Sequence, residues 1–134
     1  MQKPLGHYTE VVAIVLAAKL RLELLPFAQV LDRVARGRRS AGVWNASSPA
    51  PEEDRLIRAA AVFRQVRLFV PVGMRCLIDS LALVKFLQKR KLHANIVFGV
   101  AIDPFSAHCW VQAGDLVLND TLGNVASHIP IRVV

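Results

Sequence analysis

Gly73-Met-Arg-Cys-Leu-Ile-Asp-Ser-Leu-Ala-Leu-Val-Lys-Phe-Leu-Gln-Lys-Arg-Lys91, followed by Asp103-Pro-Phe-Ser-Ala-His-Cys-Trp-Val111, decides how this chain folds. In the first run Leu77, Leu81, Val84 and Leu87 recur at helical spacing, with Lys85 and Lys89 left to face water. Gly73 breaks the chain before it, so an amphipathic helix is expected from Cys76 to about Lys91. Lys85, Lys89, Arg90 and Lys91 crowd its last turns, where cations favour the helix dipole. After Leu92 the period changes from helical to alternating, and the second run opens a strand.

Working outward, the downstream side reads as an antiparallel meander. Asn95 to Ile102 is dense in β-branched residues, Ala107 to Ala113 follows the Asp103-Pro104 turn, and Leu116 to Asp120 follows Gly114-Asp115. Ile129 to Val134 makes a last edge strand. Upstream, Thr9 to Leu25 reads as a helix with Thr9 as its N-cap and Pro26 at its end. Phe27 to Arg36 makes a second helix, with Phe27, Val30, Leu31 and Val34 on one face and Gly37 just past its end. Arg38 to Pro51 is one long loop, in which Trp44 is expected to anchor onto the core. Pro51-Glu52-Glu53-Asp54 starts a third helix, with proline in the first turn and acids at the positive end of the dipole. Its apolar face is expected to include Ile57, Ala61 and Leu68. Helices first and a meander after define an α+β fold, a single domain over 1–134 with a helical part (1–72) and a core of cysteine helix and small sheet (73–134).

Three residues in that core form a chemical pattern. A cysteine at a helix start meets free backbone N–H groups and the positive dipole end, which favour a thiolate and can receive an oxyanion. His108 begins a strand, and the 12-residue interval to Asp120 suits two strands paired about Gly114-Asp115, so the acid reaches the imidazole. Cys76, His108 and Asp120 are therefore the candidate nucleophile, base and orienting acid of a cysteine peptidase. Asp79, in the first turn, opposes thiolate formation, so His108 is expected to supply much of the activation as a thiolate–imidazolium pair. Alternation puts His108 and Trp110 on one face and Cys109 on the other, where Cys109 reads as a packed thiol. Asp103 and Asp115 are rival carboxylates in ordinary turn positions. His7, His93 and His128 have no chemical partner nearby in sequence. Cys76, His108 and Cys109 lack metal-ligand spacing, so neither metal nor other cofactor is expected.

Composition bounds the rest. At 134 residues and 54% hydrophobic content the chain can bury a core without disulfides. Its two cysteines could form one bridge, but a reactive thiol is the better reading of Cys76, and a reducing cytoplasm the expected home. Val11 to Ala18 is too short to span a membrane and lacks the basic lead-in of a secretory signal. The net charge of +7 gathers at Arg33, Arg36, Arg38 and Arg39 and again at Lys85 to Lys91. No aromatic residues interleave with either cluster, so nucleic acid is not the expected partner.

The run Cys76-Leu-Ile-Asp-Ser80-Leu81-Ala82-Leu83, then Phe98-Gly99-Val100, then Pro104-Phe105-Ser-Ala107-His108-Cys-Trp110-Val111, then Asn119-Asp120, resembles the lasso-peptide leader peptidases. The resemblance covers roughly the C-terminal half and departs from the family at Cys109, where alanine is usual. It implies a transglutaminase-like cysteine protease fold with Cys76 as nucleophile, His108 as base and acid, and Asp120 as orienting acid. It further implies cleavage of a ribosomally made precursor at the leader–core junction. The freed core amine is then joined to a side-chain carboxylate by a separate ATP-dependent cyclase. The implied partners are the precursor peptide, that cyclase, and a leader-recognition protein or fused domain. Two other classes remain open on the residues alone: an acyltransferase using the same triad, and a basic non-enzymatic module binding nucleic acid.

Overall fold

A computed structural model describes residues 4–40, 50–73, 76–102, 105–113, 116–119 and 125–134. Four helices, α1 (Pro4–Leu24), α2 (Phe27–Ser40), α3 (Ala50–Arg67) and α4 (Cys76–Gln88), precede four strands, β1 (Asn95–Ile102), β2 (Phe105–Ala113), β3 (Leu116–Val117) and β4 (Ile129–Val133). The strands form one antiparallel sheet in the order β3-β2-β1-β4. The chain is α+β, as its sequence pattern implies. Trp44 lies outside the described residues, as do Asp103, Asp115 and Asp120.

Helix α4 is the hub. It packs on β2 and β1 on one side and on α1, α2 and α3 on the other. It was expected to be amphipathic, yet Ile78, Ser80, Leu81, Ala82, Leu83, Val84, Phe86 and Leu87 are all buried, leaving Cys76 and Lys85 as its exposed positions. A helix enclosed by neighbours has no solvent face to keep polar, which is why its run Leu81-Ala-Leu-Val84 carries no charge. One cluster of buried side chains extends from Val11, Ile14 and Val15 of α1 through Phe63 of α3 and Phe86 of α4 to Ile96 and Val111 of the sheet.

Helix boundaries and faces differ from the periodicity in instructive ways. α1 starts at Pro4, since proline at a first turn sacrifices no helix hydrogen bond, and Thr9 sits inside the helix instead of capping it. α2 runs through Gly37 to Ser40. The buried stripe of α3 is Leu56, Ala60, Phe63 and Arg67, while Ile57 and Leu68 are exposed. The true stripe was concealed because it ends in an arginine, which reads as a solvent residue. At the end of α4, Lys91 takes a left-handed backbone conformation (φ 58°). There Leu92 N–H donates to the Leu87 carbonyl at 3.0 Å and Lys91 N–H to that of Gln88 at 3.0 Å. This is a Schellman stop with lysine where glycine is usual.

β1 and β2 pair in unbroken register from Asn95↔Gln112 to Ile102↔Phe105. Opposite His108, Gly99 leaves room for the Trp110 ring: a Cβ there would meet Cη2 of Trp110 at 2.8 Å. The outer strand β4 pairs with β1, and its register slips between Phe98 and Gly99, leaving Ile131 as the extra residue beside Pro130. Proline and a bulge are both ways of blunting a sheet edge.

Candidate active site

The first residue of α4 is Cys76, placed at the helix end whose N–H groups have no partner within the helix. Its position depends on the segment before it, and that segment is gripped by one side chain. Arg67, buried in the last turn of α3, donates from Nη1 to the carbonyl of Val72 at 3.0 Å and from Nη2 to that of Gly73 at 2.9 Å. Its Nε donates to Oδ1 of Asp79 at 2.6 Å. The acid expected to oppose a thiolate at Cys76 is thus paired with a cation. The sequence reading passed over Arg67, and the one available signal was a charge recurring at the spacing of the Leu56, Ala60 and Phe63 stripe.

Cys76 is exposed, whereas Cys109 of β2 is buried. The Cys109 thiol lies 3.5 Å from the sulfur of Cys76 and donates towards it, and it lies 3.8 Å from Oγ of Ser80. Burial agrees with a packed thiol, and the packing brings it against Cys76. The buried face of β2 is the face that α4 covers, so a side chain pointing into the core there points at the helix carrying Cys76. Ser80 also accepts from Nδ2 of Asn119 at 3.2 Å, and Oδ1 of Asn119 accepts the Val111 N–H at 2.7 Å. Asn119 therefore fastens the end of the β3 segment to both β2 and α4.

His108, half-buried one position before Cys109, shares a cleft of about 550 Å³ with Cys76, Asp79, Cys109 and Asn119, walled on the far side by α3. Its ring lies 6.1 Å from that of Trp110 and 5.6 Å from that of His128. His128 was set aside for want of a sequence neighbour; the strand order supplies one, since β4 returns to β1. It is also within hydrogen-bonding distance of Ser106 Oγ (3.2 Å) and Ser127 Oγ (3.1 Å). His7, also set aside, lies 3.3 Å from Arg90 Nη2.

The Cys76 thiol is pulled down to about 5. The first cause is the hydrogen bond from the Cys109 thiol, which a thiolate accepts more strongly than a neutral sulfur does. A backbone hydrogen bond from Cys109 and the charge and hydrogen bond of His108 add to it, and burial works against it. His108 contributes both by its charge and by a hydrogen bond. At neutral pH the arrangement presents an exposed thiolate beside an imidazole at a helix N-terminus, which can attack a carbonyl carbon and receive the resulting oxyanion. Among the described residues no group of histidine, cysteine and acidic side chains is disposed to hold a metal ion.

Comparison with known proteins agrees with this chemistry. A family model described as the transglutaminase-like superfamily matches residues 13–133. The microcin J25-processing protein McjB of Escherichia coli is 44% identical over 45 residues, covering 34% of this chain and 22% of that protein. The chain thus matches about a fifth of the length of that curated relative. No solved structure is detectably similar.

Proposed function

Since this chain belongs to the transglutaminase-like superfamily, we propose that it is a cysteine peptidase removing the leader from a ribosomally made lasso-peptide precursor. The observation that carries the reading is the exposed, acidified thiol of Cys76 at the head of α4, in one cleft with His108. The partial match to a microcin-processing protein supports the substrate class.

In this mechanism Cys76 Sγ attacks the carbonyl carbon of the last leader residue, and the oxyanion rests on the Cys76 N–H. His108 protonates the departing amine, which becomes the free N-terminus of the core. Water, deprotonated by His108, then releases the leader from the thioester. Asp120 holds the imidazole in the tautomer that both steps need. The freed amine is what a separate ATP-dependent cyclase joins to a side-chain carboxylate. A leader-recognition protein or domain presents the precursor, the protein works in the cytoplasm, and residues 1–134 act as one domain. No helix among the described residues is long and apolar enough to cross a membrane.

The test is leader release followed by mass spectrometry. Cys76→Ala is expected to abolish it with the circular dichroism spectrum unchanged. Asp120→Asn is expected to lose most of the rate, and adding it to Cys76→Ala to change nothing further, because such residues act as a unit. Inactivation by an alkylating reagent that labels Cys109 alone would overturn the assignment. Superfamily membership also favours a second reading, in which an amine replaces water and the leader leaves as an amide; the mass of the released leader separates the two.

A further inference from the structure

The two thiols of the cleft differ in everything except position. One is exposed and heads a helix, the other is buried on the strand beneath it, and their sulfurs are 3.5 Å apart. A disulfide requires sulfurs about 2.05 Å apart, a closure that side-chain rotation spans when the atoms already touch. We propose that Cys109 is a resolving thiol, so that a hydroperoxide converts the Cys76–Cys109 pair into an intramolecular disulfide that silences the site and a dithiol restores it.

The steps balance. The Cys76 thiolate attacks one oxygen of hydrogen peroxide, the S–O bond forms as the O–O bond breaks, and hydroxide leaves, giving a sulfenic acid. The sulfur of Cys109 then attacks the Cys76 sulfur as its thiol gives up a proton. The S–S bond forms, the S–O bond breaks, and the hydroxide leaves with that proton as water. Two electrons pass from the two thiols to the peroxide. A dithiol reverses the change by forming its own disulfide. The low pKa of Cys76 keeps the attacking species populated at neutral pH, and burial of Cys109 directs the oxidant to Cys76 first. A sulfenic acid with no neighbouring thiol proceeds to the irreversible sulfinic acid; here the neighbour intercepts it. The consequence for activity rests on the reading of Cys76 as nucleophile, whereas bond formation does not.

The experiment treats the full chain with a several-fold molar excess of hydrogen peroxide and measures intact mass without reductant. The expected result is a monomer lighter by about 2 Da, the loss of two hydrogens, with a Cys76–Cys109 cross-linked peptide after digestion and recovery of each sample's starting rate with dithiothreitol. Cys109→Ala and Cys109→Ser should instead gain about 16 Da and, with the second oxygen, about 32 Da on Cys76, and at the heavier mass dithiothreitol should not restore them. Oxygen adducts on the unsubstituted protein without the lighter species, or a disulfide-linked dimer through Cys76, would overturn the proposal. A lighter monomer from a protein whose reduced form never releases leader would leave the disulfide standing and remove the peptidase reading instead.

Discussion

At the scale of single residues, the neighbours of Cys76 set its protonation. With its pKa at about 5, its alkylation by iodoacetamide should rise with pH through about 5 and be flat at neutrality. Cys109→Ala removes the largest lowering cause and should move that midpoint upward. The sign for stability follows from proton counts. A free cysteine titrates near 8.5, so between about 5 and that value the folded chain carries fewer protons at this site than the unfolded chain. This contribution is therefore complete above the unfolded pKa and is lost as pH falls through the folded one, which urea unfolding across that range would show. Arg67 makes a separate case. Arg67→Ala removes the cation beside the Asp79 carboxylate and the donors to the carbonyls of Val70, Val72 and Gly73, a change expected to cost about 3 kcal/mol, read as a lower urea midpoint with an unchanged slope. The place of Cys76 at a helix start was legible because the Gly73 break and the apolar spacing after it mark where α4 begins. Arg67 was not, because a buried arginine looks like any surface arginine until its partners, 3 to 12 residues away, are folded around it.

At the scale of elements, the stop of α4 offers a clean measurement. A lysine held at φ 58° pays a steric cost that glycine avoids. Lys91→Gly is therefore expected to raise stability by about 1 kcal/mol, visible as a higher thermal midpoint with no change in secondary structure. β1 was legible to its ends because β-branched alternation is dense there and turn residues bound it. β2 begins two residues earlier than its periodicity suggested, at Phe105, because pairing with Ile102 extends the ladder whatever the local pattern. The α3 stripe was misjudged by one position, with Ile57 taken for Leu56, since helical spacing alone leaves the phase of a short apolar pattern open. Tertiary packing, not propensity, chose between them.

At the scale of the whole molecule, the sheet presents poor edges to a peptide. β3 is two residues long, and β4 carries Pro130 and a register slip, so strand addition along either of these two strands gains little. Affinity for a long leader should then come from tethering by a recognition partner, which raises the local concentration of the scissile bond. The expected outcome is slow release of leader by the isolated chain and a marked acceleration with the partner at fixed salt, below saturation; equal rates would show recognition by this chain itself. The clamp of Arg67 sets a further condition on the substrate. It ties the end of α3 to the carbonyls of Val72 and Gly73 and to Asp79 in the first turn of α4, and residues of α3 and α4 on either side of that clamp line the cleft. On the proposed reading, a cleft so braced is expected to gauge its substrate, passing an extended junction and refusing a core already folded into a compact loop, which comparing leader release from linear and pre-folded precursors would check.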